Sequence, residues 1–356
     1  MKILYLYTEV MGYNLPVFQE LVNNYGARVE VVHWNRKKLT PYVPTTQSSN
    51  IRFHERFSFT AKQLVDFASD LRPDLVYVSG WQDRGYFPVL KRLKRQGAKI
   101  VMGLDSQWVG SVRQQIGAML IRWCYKPRYF HYAWVPGPLQ YAYANRIGFA
   151  TNEIITHLLT ADTQLFSQAA LELKESKATN YPKQFLYVGR LTKPKGIYTL
   201  IKAFDLYQKK YSGDWGLTFI GTGPLEKELN SYPAIAVLPF MTQEALAAQA
   251  KKTGAFILPS LYEPWGVVAH EFGSAGLPLI LSDKVGSRQQ FLVDQLNGYV
   301  FAHGSVEDLA KKMFLISSSN NTKLIEMGRI SSLLSCVINP QIAAASFVSV
   351  IEDHSK

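Results

Sequence analysis

The chain has 356 residues, of which 47% are hydrophobic, with a formal net charge of +12 and only two cysteines. That length is expected to hold two domains of ordinary size, and Cys124 and Cys336, far apart and outside any CxxC or Cys/His ligand spacing, argue against a disulfide framework or a zinc site. Residues 1–165 hold 20 Lys+Arg against 11 Asp+Glu, a net of +9, and the remainder 19 against 16, a net of +3, so a basic N-terminal half faces some anionic partner: nucleic acid, a phosphorylated substrate or an anionic membrane face.

In chain order, MKILYLYTEV lacks the shape of a signal peptide and reads as a first buried strand, KILYLYT (2–8). Further strand candidates are RVEVVHW (28–34), LVYVS (75–79), KIVMGL (99–104) and YAWV (132–135), with helix-like stretches at 61–71 and 85–97 between them and a short loop, PYVPTTQSSN, at 41–50. A second series follows a polar stretch: QFLYVG (184–189), LTFIG (217–221), IAVL (235–238), AFILP (255–259) and PLILS (278–282). Buried-strand runs alternating with amphipathic stretches indicate doubly wound parallel sheets. The predicted architecture is therefore α/β, with two Rossmann-like domains facing each other across a crevice. The boundaries are 1–166 for the first domain, 167–182 for a linker, 183–338 for the second domain, and 339–356 for a C-terminal helix that crosses back to the first. No uninterrupted apolar run of about 18 residues predicts a transmembrane helix.

The chemistry concentrates in the second half. In PSLYEPWGVVAHEFGSAGLPLI (259–280), Glu263 falls in a loop after a strand and Glu271 on the helix that follows Pro264 and Gly266. Ligands of open α/β sheets sit at the carboxyl ends of strands. There Glu271 suits the vicinal hydroxyls of a ribose, and Glu263 suits a sugar that becomes positive in the transition state. Alone, two glutamates eight positions apart are more often the solvated start of a helix. In FLYVGRLTKPKG (185–196), a strand runs into a loop bracketed by Gly189 and Gly196 that bears Arg190, Lys193 and Lys195 ahead of a helix, an anion site fit for a diphosphate; the competing reading is ordinary surface cations. The loop GTGP (221–224) places Gly221 and Gly223 where backbone can approach a phosphate or nucleoside, and by itself is equally a tight turn.

Taken together, GRLTKPKG, GTGPLEKEL, PSLYEPWGVVAHEFGSAGLP and SRQQFLVDQLNGYVF resemble, over residues 155–315, family 4 of the retaining glycosyltransferases with the two-domain GT-B fold. The resemblance implies that Arg190 and Lys195 bind the donor diphosphate. It implies that Glu263 and Glu271, as an E-x7-E motif, lie against the donor sugar and phosphate and against the ribose. Gly189, Gly221, Gly223, Phe240, Met241, Gly266 and Val267 are counted with them as donor-binding residues. The implied activity is metal-independent transfer, with retention, from a nucleotide-diphosphate sugar (UDP- or GDP-linked) to a glycan, lipid-linked or small-molecule hydroxyl. Such an enzyme would build surface polysaccharide or lipopolysaccharide in the cytoplasm, with the inner membrane face as a candidate surface. The nucleotide-sugar is a substrate, and no cofactor and no metal are expected; the chain has no Asp-x-Asp. Two departures stand out: Gln290 occupies a position where many relatives carry Glu, and TEVMGYNLP (8–16) has a single glycine where a Gly-rich loop is usual.

On the acceptor side the candidates are residues just after strands, Asp83 and Arg84 with Trp81 and Gln82, and Asp105 and Trp108 with Gln107; each is equally a loop cap or a core residue. The segment 111–132 interleaves Arg113, Arg122, Lys126 and Arg128 with apolar residues, as a membrane-surface helix or as a plain helix packed on its sheet. No nucleic-acid-binding motif is present, so no nucleic acid is expected. The rival functions are a GT-B nucleotide-sugar epimerase, a sugar phosphorylase, and an inactive glycan- or nucleic-acid-binding protein of the same shape.

Overall fold

A computed structural model describes residues 1–34, 42–171 and 174–352. Pro41 of the predicted loop, residues 172–173 of the predicted linker and residues 353–356 of the predicted C-terminal helix lie outside the described residues.

The chain divides into two compact units, with changeovers at Thr160/Ala161 and at Asn339/Pro340. In the first, seven parallel strands are ordered β3-β2-β1-β4-β5-β6-β7: β1 (Lys2–Leu6), β2 (Arg28–His33), β3 (Ile51–Glu55), β4 (Leu75–Val78), β5 (Lys99–Gly103), β6 (Tyr132–Trp134) and β7 (Ile154–Ile155). The inner strands β1, β4 and β5 are unbroken apolar runs because helices cover both their faces. One cover is Ala61–Leu71, whose start is fixed by a capping box between Thr60 and Gln63. The last helix, Pro340–Glu352, belongs to this unit and lays Ala344 and Phe347 into the core, with the Phe347 ring stacked on Trp134 at 4.7 Å.

The second unit carries six parallel strands ordered β10-β9-β8-β11-β12-β13: β8 (Gln184–Val188), β9 (Gly216–Ile220), β10 (Ile235–Leu238), β11 (Ala255–Leu258), β12 (Leu279–Ser282) and β13 (Gly298–Phe301). Its core is rich in rings: Phe185, Tyr187, Phe204, Phe219, Phe256 and Phe272 are fully buried. The stretch expected as a linker runs as helices Thr163–Leu171 and Lys174–Thr179. Residues 321–351 are long and apolar enough to cross a membrane by composition, yet the two units share them: Leu324 and Met327 are buried in the second, Ala344 and Phe347 in the first.

Every strand expected from the sequence is present. Three more form, β3, β7 and β13, and all lie at or beside a sheet edge. There β3 is only half covered, so IRFHE carries charged residues and lacks the apolar run of a central strand.

Candidate functional site

In the second sheet the winding reverses between β8 and β11, so the carboxyl ends of these two strands lie side by side at a topological switch point. Three loops meet there. The backbone N–H of Leu191 donates to Thr222 O at 2.9 Å and that of Leu225 to Leu191 O at 3.2 Å, joining the loops after β8 and β9. Leu261 N–H donates to Pro194 O at 2.9 Å, joining the loops after β8 and β11. Gly196, with φ +72°, sits where a Cβ would come within 1.9 Å of Pro259 O, so only glycine lets these two loops close.

The seam carries charge. Lys195, in the short turn Lys193–Lys195, reaches Glu263 after β11: Nζ to Oε2 is 2.5 Å, and Ser260 Oγ donates to the same oxygen at 2.9 Å. Both side chains are largely buried. Arg190 is exposed at the mouth of the same loop, its carbonyl held by the buried Tyr187 hydroxyl at 2.8 Å. Glu263 and Arg190 both act on that phenol, the carboxylate raising its pKa and the guanidinium lowering it, while burial, the dominant influence, raises it.

Glu271 lies in the helix Val267–Ser274 and is 1% exposed. Its Oε2 has no hydrogen-bond partner, while the Gln243 side chain hydrogen-bonds the carboxyl. Burial pushes its pKa up to about 7, the Gln243 bond opposes that shift, and the nearby Asp162 carboxylate adds to it. The Asp162 carboxyl is itself raised, chiefly by burial. Next in the chain, His270 is also buried, accepting from Ala161 N–H at 3.1 Å and donating to Ser335 O at 2.8 Å; burial pushes its pKa down to about 4, so it is a neutral structural residue. A buried carboxyl with one open oxygen can receive a hydroxyl pair, and a neutral one can also donate.

The remaining expected donor residues lie on the same rim. Gly189 N–H and Gly221 N–H extend the ladder to Ile220 O and Leu238 O, and Gly223 presses against the Leu191 carbonyl. Gly266, with φ +92°, caps the helix that begins at Val267. Phe240 and Met241 are half-buried ahead of the helix Gln243–Ala250. Gln290 is half-buried in the turn Arg288–Phe291. Sequence reasoning missed Ser260, Gln243 and Asp162, whose parts depend on which loops the fold brings together.

In the first unit, a cavity of about 230 Å³ opens at the carboxyl ends of β1, β4 and β5. Tyr7, Glu9, Gln82, Asp105 and Ser106 supply polar groups and Trp81 an indole face. Of the residues expected on the acceptor side, Trp81, Gln82 and Asp105 line this cavity. Asp83 does not: its carboxylate holds Arg56 at 3.1 Å and the Trp34 indole N–H at 2.9 Å, and caps the turn Arg84–Tyr86 through Gly85 N–H at 2.8 Å. Arg84 is exposed outside the lining residues, and Trp108 packs on Tyr143 under the Arg146 guanidinium. These three therefore lie outside the lining of this cavity, Asp83 and Trp108 tied to neighbouring side chains and Arg84 at the surface. Among the described residues no group of three His, Cys, Asp or Glu side chains is placed to hold a metal ion.

Residues 170–329 match the profile of the family Glycosyl transferases group 1. An uncharacterised glycosyltransferase of Methanocaldococcus jannaschii is 31% identical over 123 residues, 33% of this chain and 31% of that protein. The amylovoran biosynthesis glycosyltransferase AmsK of Erwinia amylovora is 25% identical over 193 residues, 51% of this chain and 47% of that one. The matches thus span about a third to a half of the curated relatives. Over nearly the whole chain the fold is that of HepE from Anabaena, solved with UDP, with a TM-score of 0.75 at 13% identity, covering 99% of this chain and 100% of that one; the same protein was also solved with UDP-glucose. The chain therefore has the GT-B type of fold, two Rossmann-like parallel-sheet domains.

Proposed function

We propose that the chain is a retaining, metal-independent glycosyltransferase. It takes a sugar from a UDP- or GDP-linked donor held by its second unit and transfers it to a hydroxyl of a glycan or lipid-linked acceptor in surface polysaccharide or lipopolysaccharide synthesis. The observation that carries this reading is the pairing of Lys195 with Glu263 across the β8/β11 switch point, together with the buried Glu271, one of whose oxygens is open, on the helix that follows Glu263.

In this reading Glu271 takes the ribose hydroxyls through Oε2. Arg190 and Lys195 face the diphosphate, and their charge counts most when the bond from sugar to phosphate breaks and the leaving oxygen becomes anionic. With two cations doing this, no bridging metal is required, and the nucleotide-sugar is substrate rather than cofactor. Glu263, within reach of both Lys195 and the donor sugar, keeps the lysine oriented and faces the cationic anomeric carbon. Retention follows the same-face course of the resembling family, in which the leaving phosphate accepts the acceptor proton. The N-unit cavity with Asp105, Gln82 and Trp81 suits a sugar acceptor, hydroxyls on the polar groups and a ring face on the indole.

The test is a donor panel, UDP- and GDP-sugars with glycan acceptors in excess EDTA, read by nucleotide release and by NMR of the new anomeric centre. Retained configuration and EDTA-resistant turnover are expected. Restoration of a lost activity by Mg2+ or Mn2+ would overturn the metal-independent part. Interconversion of the donor without acceptor would replace transfer by epimerisation, and a requirement for free phosphate would make the protein a phosphorylase.

A further inference from the structure

Between Asp105 and Glu153 the chain has no acidic residue. Through this stretch run the helix Val112–Leu120, a wider π-turn Ile121–Tyr125 and the short helix Lys126–Tyr129, without a break. One face is packed: Ala118 and Ile121 are buried in the core of the first unit, and the Tyr125 ring lies 5.4 Å from Phe87. The other face is bare. Val112 is 71% exposed, Ile116 56%, Met119 64% and Trp123 71%, with Leu120 beside them. Steps of three and four residues put these on one stripe of the helix. Single exposed apolar residues are ordinary, but a row of five on one helix is not.

Cations flank the stripe. Arg113, Arg122 and Arg128 are exposed, and among the described residues no ion pair engages them. Lys126, by contrast, is tied to Glu153 at 2.5 Å. The Arg122 guanidinium lies over the Trp123 ring at 5.4 Å, so the charge and the largest apolar group are presented together.

We propose that this face is a docking surface for an anionic lipid bilayer, with Val112, Ile116, Met119, Leu120 and Trp123 entering the acyl boundary and the three arginines against phosphate headgroups. The charge selects the partner: three exposed arginines flank the apolar stripe, and the helical segment that carries both contains no carboxylate, so its charge is complementary to an anionic headgroup layer. Lipid docking by this surface does not depend on what the donor site binds.

The full chain, sedimented with vesicles of phosphatidylcholine alone and of phosphatidylcholine mixed with phosphatidylglycerol, should bind the mixed vesicles and be released by salt. Replacing Arg113 or Arg122 by Glu should weaken partition at least about fivefold each, and Trp123→Ser with Met119→Ser on the order of tenfold. Unchanged melting of these surface variants shows that they fold, and Lys209→Glu on the second unit should bind as the parent does. Equal binding to neutral vesicles, or none to either, overturns the proposal. So does a concentration-dependent dimer that Trp123→Ser abolishes, since a second copy would then cover the face.

Discussion

Lys195 Nζ stands 2.5 Å from Glu263 Oε2, although 68 residues separate the two in sequence, and Ser260 Oγ donates to the same oxygen. Before any nucleotide arrives, the cation that the proposed reaction needs is already placed, and a carboxylate neutralises it. A diphosphate must therefore compete with Glu263 for Lys195. Glu263→Gln should remove the competitor while keeping the shape. We expect UDP or GDP to bind as tightly as before or more tightly, while kcat falls because the anomeric carbon loses its facing charge. Calorimetric titration beside initial rates separates the two effects. A parallel loss of both would show that Glu263 grips the nucleotide directly.

Lys195→Ala leaves the buried Glu263 carboxylate without the cation that pairs with it. Breaking a buried pair from one side costs about 3 kcal/mol or more. The variant should unfold at lower urea, by that order, and Lys195→Ala combined with Glu263→Gln should recover most of the loss. Urea midpoints for the three proteins check this, and no recovery in the double variant would mean that the lysine stabilises through other contacts.

Glu271 should set an unusual pH dependence. Burial pushes its pKa up to about 7 from an ordinary 4.5, so between those values the folded chain keeps a proton that the unfolded chain has released. Stability from this group is therefore present at low pH and falls as pH rises from about 4.5 through about 7, by roughly 3 kcal/mol in all. Its neighbour His270, pushed down to about 4, works in the opposite sense: its contribution is present above the ordinary 6.5 and is lost as pH falls toward 4. Glu271→Gln removes only the first effect. It should match the parent near the acid end and exceed it in stability at slightly alkaline pH, while binding nucleotide more weakly. Parallel stability-against-pH curves for the two proteins would refute the buried-proton account.

Much of this arrangement is legible in the sequence. The central strands show as apolar runs because both their faces are covered, and the glycines and charges of the loops after β8, β9 and β11 stand where the sheet must present them. What is not legible depends on pairing between distant segments. That β8 lies beside β11 is a property of strand order, and Lys195 meets Glu263 only because of it. Gln243 and Asp162 reach Glu271 from separate helical regions with no motif to mark them. Asp83, equally a substrate group or a loop cap when read from its place after a strand, is held by Arg56 and the Trp34 indole, whose approach from other segments has no mark in the sequence.

Gly196 joins stability to the site. Its φ of +72° is strained for any side chain, and a Cβ would come within 1.9 Å of the Pro259 carbonyl, which is backbone and has no rotamer to yield. Gly196→Ala should cost about 3 kcal/mol and separate the loops that hold Lys195 and Glu263. Turnover should therefore fall by more than the loss of folded protein explains. Activity normalised to folded fraction checks this, and normal specific activity would show that the loops tolerate displacement.

Arg190 differs from Lys195 in being exposed and outside any ion pair that engages the lysine, so its replacement tests the leaving-group role without a folding penalty. Among the described residues no ion pair engages its guanidinium, and its carbonyl, held by Tyr187, fixes the backbone from which it reaches out. If it acts on the diphosphate, its effect must grow as negative charge collects on the leaving oxygen. Arg190→Ala should then lower kcat and kcat/KM together by on the order of a hundredfold, with melting unchanged and affinity for the intact donor changed less than turnover. Arg190→Lys should recover only part, because an ammonium supplies the charge but not the two-pronged geometry of the guanidinium. A donor with a better leaving group should narrow the gap between parent and variant, since less charge then needs stabilising. If the variant raises KM at constant kcat and the gap does not respond to the leaving group, Arg190 is only a docking contact for the nucleotide.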